Sequence, residues 1–114
     1  MANFVRLADF RRSRRTVTFN REEMNLLLAL YSRRVALGEW RDYAIDLDGG
    51  MAAFSVFRHS EDRPLFTIAK CAAGPGDLGG YILFSGTRIV RRGREMREVL
   101  SAFGPPLRVV GQEA

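Results

Sequence analysis

The chain has 114 residues, 46% of them hydrophobic and 27% charged, and carries a net charge of +5. That length is one domain, large enough to bury a core without metals or cross-links, and a single cysteine, Cys71, excludes an internal disulfide. No apolar run reaches the length of a bilayer span and the N-terminus lacks a signal-peptide core, so the expectation is a cytoplasmic protein with no membrane partner.

The basic excess is arginine except for Lys70. Guanidiniums make flat bidentate contacts to phosphates and carboxylates, so this surface suits nucleic acid or an acidic protein patch. GC-rich coding produces the same bias.

Residues 1–15 show no sustained period and end in Phe10-Arg-Arg-Ser-Arg-Arg15, which reads as a mobile basic arm with Arg11, Arg12, Arg14 and Arg15 as phosphate or carboxylate contacts. Thr16 to Phe19 has the β-branched and aromatic content of a short strand. Asn20 to Gly38 then reads as one helix with both ends marked. Asn20 is a good N-cap and Glu23 completes a capping box; Glu22 and Glu23 face the positive end of the dipole, Arg33 and Arg34 the negative end, and Gly38 suits the left-handed C′ position. Met24, Leu27, Leu28, Tyr31 and Val35 form a core-facing stripe. Leu26, Leu30 and Leu37 form a second ridge, which either the second helix of the same chain or a partner must cover.

After Gly38 the period changes. Tyr43, Ile45 and Leu47 alternate with Ala44, Asp46 and Asp48, as in a strand with one wet face. Asp48-Gly49-Gly50 marks a hairpin turn. Met51 to Arg58 follows with Ala52, Phe54 and Val56 on one face, and Leu65 to Cys71 with Phe66 and Ile68 inward. The glycine-rich stretch 72–80 is a loop without the Gly-Lys-Ser/Thr ending of a phosphate loop. Tyr81 to Phe84 and Arg88 to Arg91 make a further hairpin, and Arg94 to Phe103 a second helix that Gly104-Pro105-Pro106 stops. Leu107 to Val110 is an edge strand or a surface segment. The expected fold is α+β: one domain over residues 16–104, an antiparallel meander with a long N-terminal and a shorter C-terminal helix on one face, followed by a tail at 105–114.

Catalytic, cofactor and metal groups are not expected. His59 and Cys71 are the only histidine and cysteine, too few for a zinc site, and Asp46 and Asp48 share a strand face as solvated acids usually do. The richest functional stretch is Arg88 to Arg97, where Arg88, Arg91, Arg92, Arg94 and Arg97 surround a strand end and the first turns of a helix. Such a cluster is an anion or nucleic-acid patch unless nearby acids, Asp42, Asp46, Asp48 or Glu98, neutralise it.

The strings Val17-Thr-Phe-Asn-Arg-Glu-Glu, Tyr31-Ser-Arg-Arg-Val-Ala-Leu-Gly-Glu-Trp-Arg-Asp-Tyr-Ala-Ile-Asp, Phe54-Ser-Val-Phe-Arg and Arg92-Gly-Arg-Glu resemble an uncharacterised family of small stand-alone alphaproteobacterial proteins, a domain of unknown function. The resemblance runs from about Thr16 to Phe103 and implies neither reaction nor ligand. Within it, Arg33, Arg34 and Trp40 form a charged corner around the only tryptophan. Trp and Arg dominate binding hot spots, which makes the corner a docking site; a lone Trp is also commonly core, which makes it structural.

These readings converge on an interaction or regulatory module acting through a protein partner or by self-association, with Leu26, Leu30, Leu37, Arg33, Arg34 and Trp40 as its surface. Nucleic-acid binding through the arginine clusters is the alternative, and an enzyme built on Asp46 or Asp48 beside His59 is a third reading.

Overall fold

The computed structural model describes residues 17–59, 63–73 and 79–104. Helix α1 spans Arg21–Ala36, β1 Asp42–Asp48, β2 Met51–Phe57, β3 Phe66–Cys71, β4 Gly80–Ser85 and β5 Arg88–Gly93. A short α2, Met96–Leu100, continues into a 3-10 turn at Ser101–Phe103. The basic arm and the tail, with Arg11, Arg12, Arg14, Arg15 and the segment 107–110, lie outside the described residues.

The five strands pair antiparallel in chain order, β1-β2-β3-β4-β5, as the expected meander. The fold is α+β, with both helices over one face. That face carries Phe54 and Val56 of β2, Ile68 of β3 and Leu83 of β4, and Leu27 and Leu30 of α1 with Met96 and Val99 of α2 close the core over them.

Local chemistry explains the ends of α1. The Asn20 side chain accepts from the Glu23 amide at 2.8 Å, and Glu23 Oε1 accepts from the Asn20 amide at 2.8 Å, the two bonds of a capping box. At the other end the Glu39 amide donates to the Arg34 carbonyl and the Gly38 amide to that of Val35, both at 2.9 Å. This is a Schellman closure, and it needs Gly38 at φ 79° because a Cβ is disfavoured there.

The structure changes three expectations. Residues 17–19 form no strand: the Val17 amide donates to the Gly49 carbonyl at 2.8 Å in the β1–β2 turn, one bond rather than a ladder. Helix α2 is shorter than the stretch 94–103, because Glu95 is extended at φ −124° and the last turn tightens to 3-10. Strand β1 has the expected alternation, with Tyr43, Ile45 and Leu47 on the side of Val56, Phe54 and Ala52, yet all seven of its residues are exposed. It is an edge strand that α1 covers only in part, through the Tyr31 ring edge-on to Tyr43 at 4.9 Å.

A β-bulge interrupts β5. Phe84 pairs with Ile89 but Leu83 with Arg91, so Val90 is an extra residue. The bulge resets the alternation, sending Arg91 to the helix side and Arg92 to the opposite face.

Candidate functional site

Three clusters of functional side chains were candidates, and the geometry treats them differently. The first is the corner after α1. Trp40 is 5% exposed, with its ring 5.5 Å from Phe103, 6.2 Å from Phe66 and 6.4 Å from Tyr31. Trp40 is therefore core, which removes it from the expected docking surface. Arg34 is committed too: Nη1 donates to Glu39 Oε1 at 2.7 Å, Nη2 donates to the Phe103 carbonyl at 2.6 Å, and the guanidinium lies 5.7 Å from the Phe103 ring. The Tyr31 hydroxyl donates to the Arg41 carbonyl at 2.6 Å. Each polar group here ties α1 to the chain that follows it or to the 3-10 turn.

The second cluster, Arg88 to Arg97, does not form one surface. Arg91 points to the helix side, where Nη1 donates to Ser101 Oγ at 2.7 Å. Arg92 sits on the opposite face beside Ile82. The amides expected to offer an anion site at the start of α2 are taken, because Glu98 Oε1 accepts from the Arg94 amide at 2.7 Å and the Glu95 amide at 3.0 Å. Gly93 makes this closure possible: a Cβ on it would lie 2.8 Å from Glu98 Oε1 and 2.9 Å from Glu98 Cβ. Asp42, Asp46 and Asp48 neutralise none of these arginines, since β1 and β5 are opposite edges of the sheet.

His59 does not join the acids. It follows β2 at the end where Phe57 pairs with Asp42, whereas Asp46 and Asp48 pair with Ala53 and Met51 toward the other end. Cys71, which pairs with Met51, is also at that far end. Among the described residues no group of three His, Cys, Asp or Glu is placed to hold a metal.

The third cluster is the second ridge of α1. Leu30 is buried at 6%, Leu26 is half-buried and Leu37 is 61% exposed, so the ridge divides. Leu30 packs in the core and shows only its rim to the expected partner surface. What stands open is a groove of about 350 Å³ between α1 and the segment from α2 to Gly104. Its floor is Leu26, Leu30, Leu37, Leu100 and Phe103, and Arg33 and Arg97 stand on its walls with Arg34. Arg34 has its acid in Glu39, whereas Arg33 and Arg97 have no ion pair among the described residues.

A polar cluster that sequence reasoning missed lies under the start of α1. Glu23 is 6% exposed; Lys70 Nζ donates to its Oε1 at 2.8 Å and the Tyr81 hydroxyl to its Oε2. Lys70 Nζ also donates to the Thr18 carbonyl at 2.9 Å. The signal was the only lysine at an inward β3 position, two residues from Ile68. Burial pushes the Glu23 carboxyl up, but the bonds from Lys70, Tyr81 and the Asn20 amide, with the Lys70 charge, bring it below its ordinary 4.5. Burial, and next the bond to Glu23 and its charge, push the Tyr81 hydroxyl up to about 12.

The signs follow by linkage. A lowered carboxyl contributes stability that is present above its unfolded value of 4.5 and lost as pH falls through the folded one. A raised phenol contributes stability present below 10 and lost as pH climbs toward about 12. Melting temperature is thus expected to fall on both flanks, and Glu23→Gln to flatten the acid flank; an unchanged acid flank would remove Glu23 from the linkage.

With the geometry in place, comparison with known proteins adds one finding. DUF2794, a family described as protein of unknown function, matches residues 17–100. The chain belongs to that family. The DUF2794 segment holds α1, the whole sheet and α2, and so both helices of the groove. No curated protein and no solved structure matches the chain. Among the described residues no helix is long and apolar enough to cross a membrane.

Proposed function

We propose that the protein is an interaction module whose groove between α1 and α2 receives an acidic amphipathic helix from a protein partner. The observation that carries this is the pairing of an apolar floor, Leu26, Leu37, Leu100 and Phe103, with two wall arginines, Arg33 and Arg97, that have no acid partner among the described residues. Two helices flanking an apolar cleft offer the helix-in-groove mode, where leucine-type anchors at i, i+3 or i+4 and i+7 enter the floor. Acids beside those anchors would meet the wall guanidiniums, with Arg97 and Arg33 setting the polarity of the pair. Nucleic acid gains less support, since the β5 arginines divide between two faces and Arg91 is engaged by Ser101.

The test is fluorescence anisotropy with a labelled, helix-stapled peptide carrying leucines at i, i+4 and i+7 flanked by glutamates, and a control with lysines for the glutamates. The acidic peptide is expected to bind at least tenfold more tightly than the basic one. Leu37→Glu, at an exposed position, and Arg97→Glu should each weaken it about tenfold without changing the melting temperature. Equal binding of both peptides, or indifference to both substitutions, would refute the groove as the docking site.

A further inference from the structure

The helix side of the sheet is closed over β2, β3 and β4 but open over β1. Tyr43, Ile45 and Leu47 lie on that side and all three are exposed, Leu47 at 51%. Facing them, α1 carries Leu28 and Val35, three and four residues from the Tyr31 that meets Tyr43 and therefore on the same face of the helix. Leu28 is half-buried and Val35 exposed. An apolar cleft thus runs along the β1 edge. At 100° per residue Leu28 and Val35 lie about 180° round α1 from Leu26 and Leu37, so this cleft and the groove are on opposite flanks of the helix.

The chain reaches the sheet beside the same strand. Lys70 Nζ on β3 donates to the Thr18 carbonyl at 2.9 Å, and the Val17 amide donates to the Gly49 carbonyl at 2.8 Å. From Thr18 back to Val17 the backbone therefore crosses from β3 to the turn that ends β1. Sixteen residues precede Val17. Strand β1 is about 20 Å long, and sixteen residues span about 24 Å as a continuous helix and more when extended.

We infer that residues 1–16 of the same chain fill this cleft, with Phe4, Val5, Leu7 and Phe10 over Tyr43, Ile45 and Leu47. Charge selects the edge. Strand β1 carries Asp42, Asp46 and Asp48 and no base, whereas the segment carries five arginines against Asp9. Asp42 and Asp46 have no ion pair among the described residues. They point to the outer face, but at an edge strand an arginine lying over the apolar side reaches past the backbone to meet them. The other edge, β5, presents Arg88, Arg91 and Arg92 and repels the same segment. The tether selects the occupant: Arg15 is two residues from Val17, so the segment stands at the cleft at an effective concentration in the millimolar range, above that of a separate partner. The inference does not depend on the groove.

Trypsin cuts after arginine, so the segment reports its own docking. Full-length protein at 1 and 100 μM is digested briefly, and cleavage after Arg6, Arg11, Arg12, Arg14 and Arg15 is timed by mass spectrometry against a free peptide of residues 1–20. The segment is expected to be cut at least tenfold more slowly than the peptide, at the same rate at both concentrations. Leu47→Asp, at an exposed position, and Phe10→Asp should each raise the rate at least fivefold, and Asp42→Arg/Asp46→Arg at least threefold, with circular dichroism showing the fold retained. Cleavage of the wild-type segment as fast as the peptide overturns the proposal. So does slower cleavage at 100 μM than at 1 μM, which would place the segment on a second copy, or a rate that Leu47→Asp, Phe10→Asp or Asp42→Arg/Asp46→Arg leaves unchanged.

Discussion

Replacing Trp40 with alanine is expected to lower the unfolding free energy by about 4 kcal/mol, the cost of truncating a buried indole and leaving a cavity behind. Domains of this size are stable by about 5–15 kcal/mol, so the variant would sit close to unfolding. Trp40 is where three segments meet: Tyr31 from the last turns of α1, Phe66 from the start of β3 and Phe103 from the 3-10 turn all present rings to it. Phe66 and Phe103 also touch each other at 5.0 Å, so the gap could not close by moving one ring without losing the others. Trp40→Phe keeps most of the apolar volume and is expected to lose less than half as much. Urea unfolding followed by far-ultraviolet circular dichroism measures both, because the substitutions remove the only indole. A loss under 1 kcal/mol for the alanine variant would mean that the ring behaves as a surface group, and would return Trp40 to the docking surface from which its burial removes it.

That corner shows where a sequence reading stops. Helix α1 is legible because independent signals agree, the Asn20–Glu23 box, charges of the right sign at each end and Gly38 past the last turn. Its core stripe is legible only in part, since Leu27 is buried but Val35 is 39% exposed and Leu30 of the other ridge is buried instead. The meander was legible because alternation and glycine turns recur from Tyr43 to Arg91. Trp40 was ambiguous because its burial depends on Phe66 and Phe103, far along the chain, coming together beneath the end of α1. Thr16 to Phe19 shows the same limit, since β-branched content expresses a preference for strand but supplies no partner ladder. Strand β1 shows a third form of it. Alternation identified which side faces the helices, whereas the extent of α1 across the sheet decides whether that side is covered.

The arginine cluster failed as a single patch for a local reason. Alternation from Ile89 onward would put Arg91 on the outer face and Arg92 under the helices. The extra residue at Val90 exchanges them, and nothing in Arg88-Ile-Val-Arg-Arg marks a bulge. Its effect is chemical: Arg91 becomes a brace between β5 and Ser101, and Arg92 becomes an exposed charge on the outer face with no ion pair among the described residues. The same sequence therefore gives two arginines with separate duties, where composition alone had suggested one surface.

Glu23→Ala is the second large expected effect, a loss of about 3 kcal/mol. A buried pair broken from one side typically costs 3–5 kcal/mol because the remaining charge is stranded, and the figure is set at the low end because the Lys70 side chain is 24% exposed and recovers some water. The substitution also removes the acceptor of the Asn20 amide and of the Tyr81 hydroxyl, so α1 loses half of its capping box and its tie to β4 together. Lys70→Met leaves Glu23 with those two donors and should cost less. Glu23→Gln combined with Lys70→Met removes both charges while keeping an amide oxygen to accept from the Asn20 amide and an NH2 to donate to the Tyr81 hydroxyl, and is expected within about 1 kcal/mol of wild type, since loss of the pair is milder than loss of one member. The four unfolding free energies decide between a coupled network and separate contacts. If Glu23→Ala and Glu23→Gln/Lys70→Met are equally destabilised, the stranded charge is not the source of the loss, and the capping bonds of Asn20 would have to account for it alone. If they separate as expected, the start of α1 is held by an ion pair reaching 47 residues along the chain, and the helix that forms one wall of the groove is placed on the sheet by β3 and β4 rather than by its own end signals.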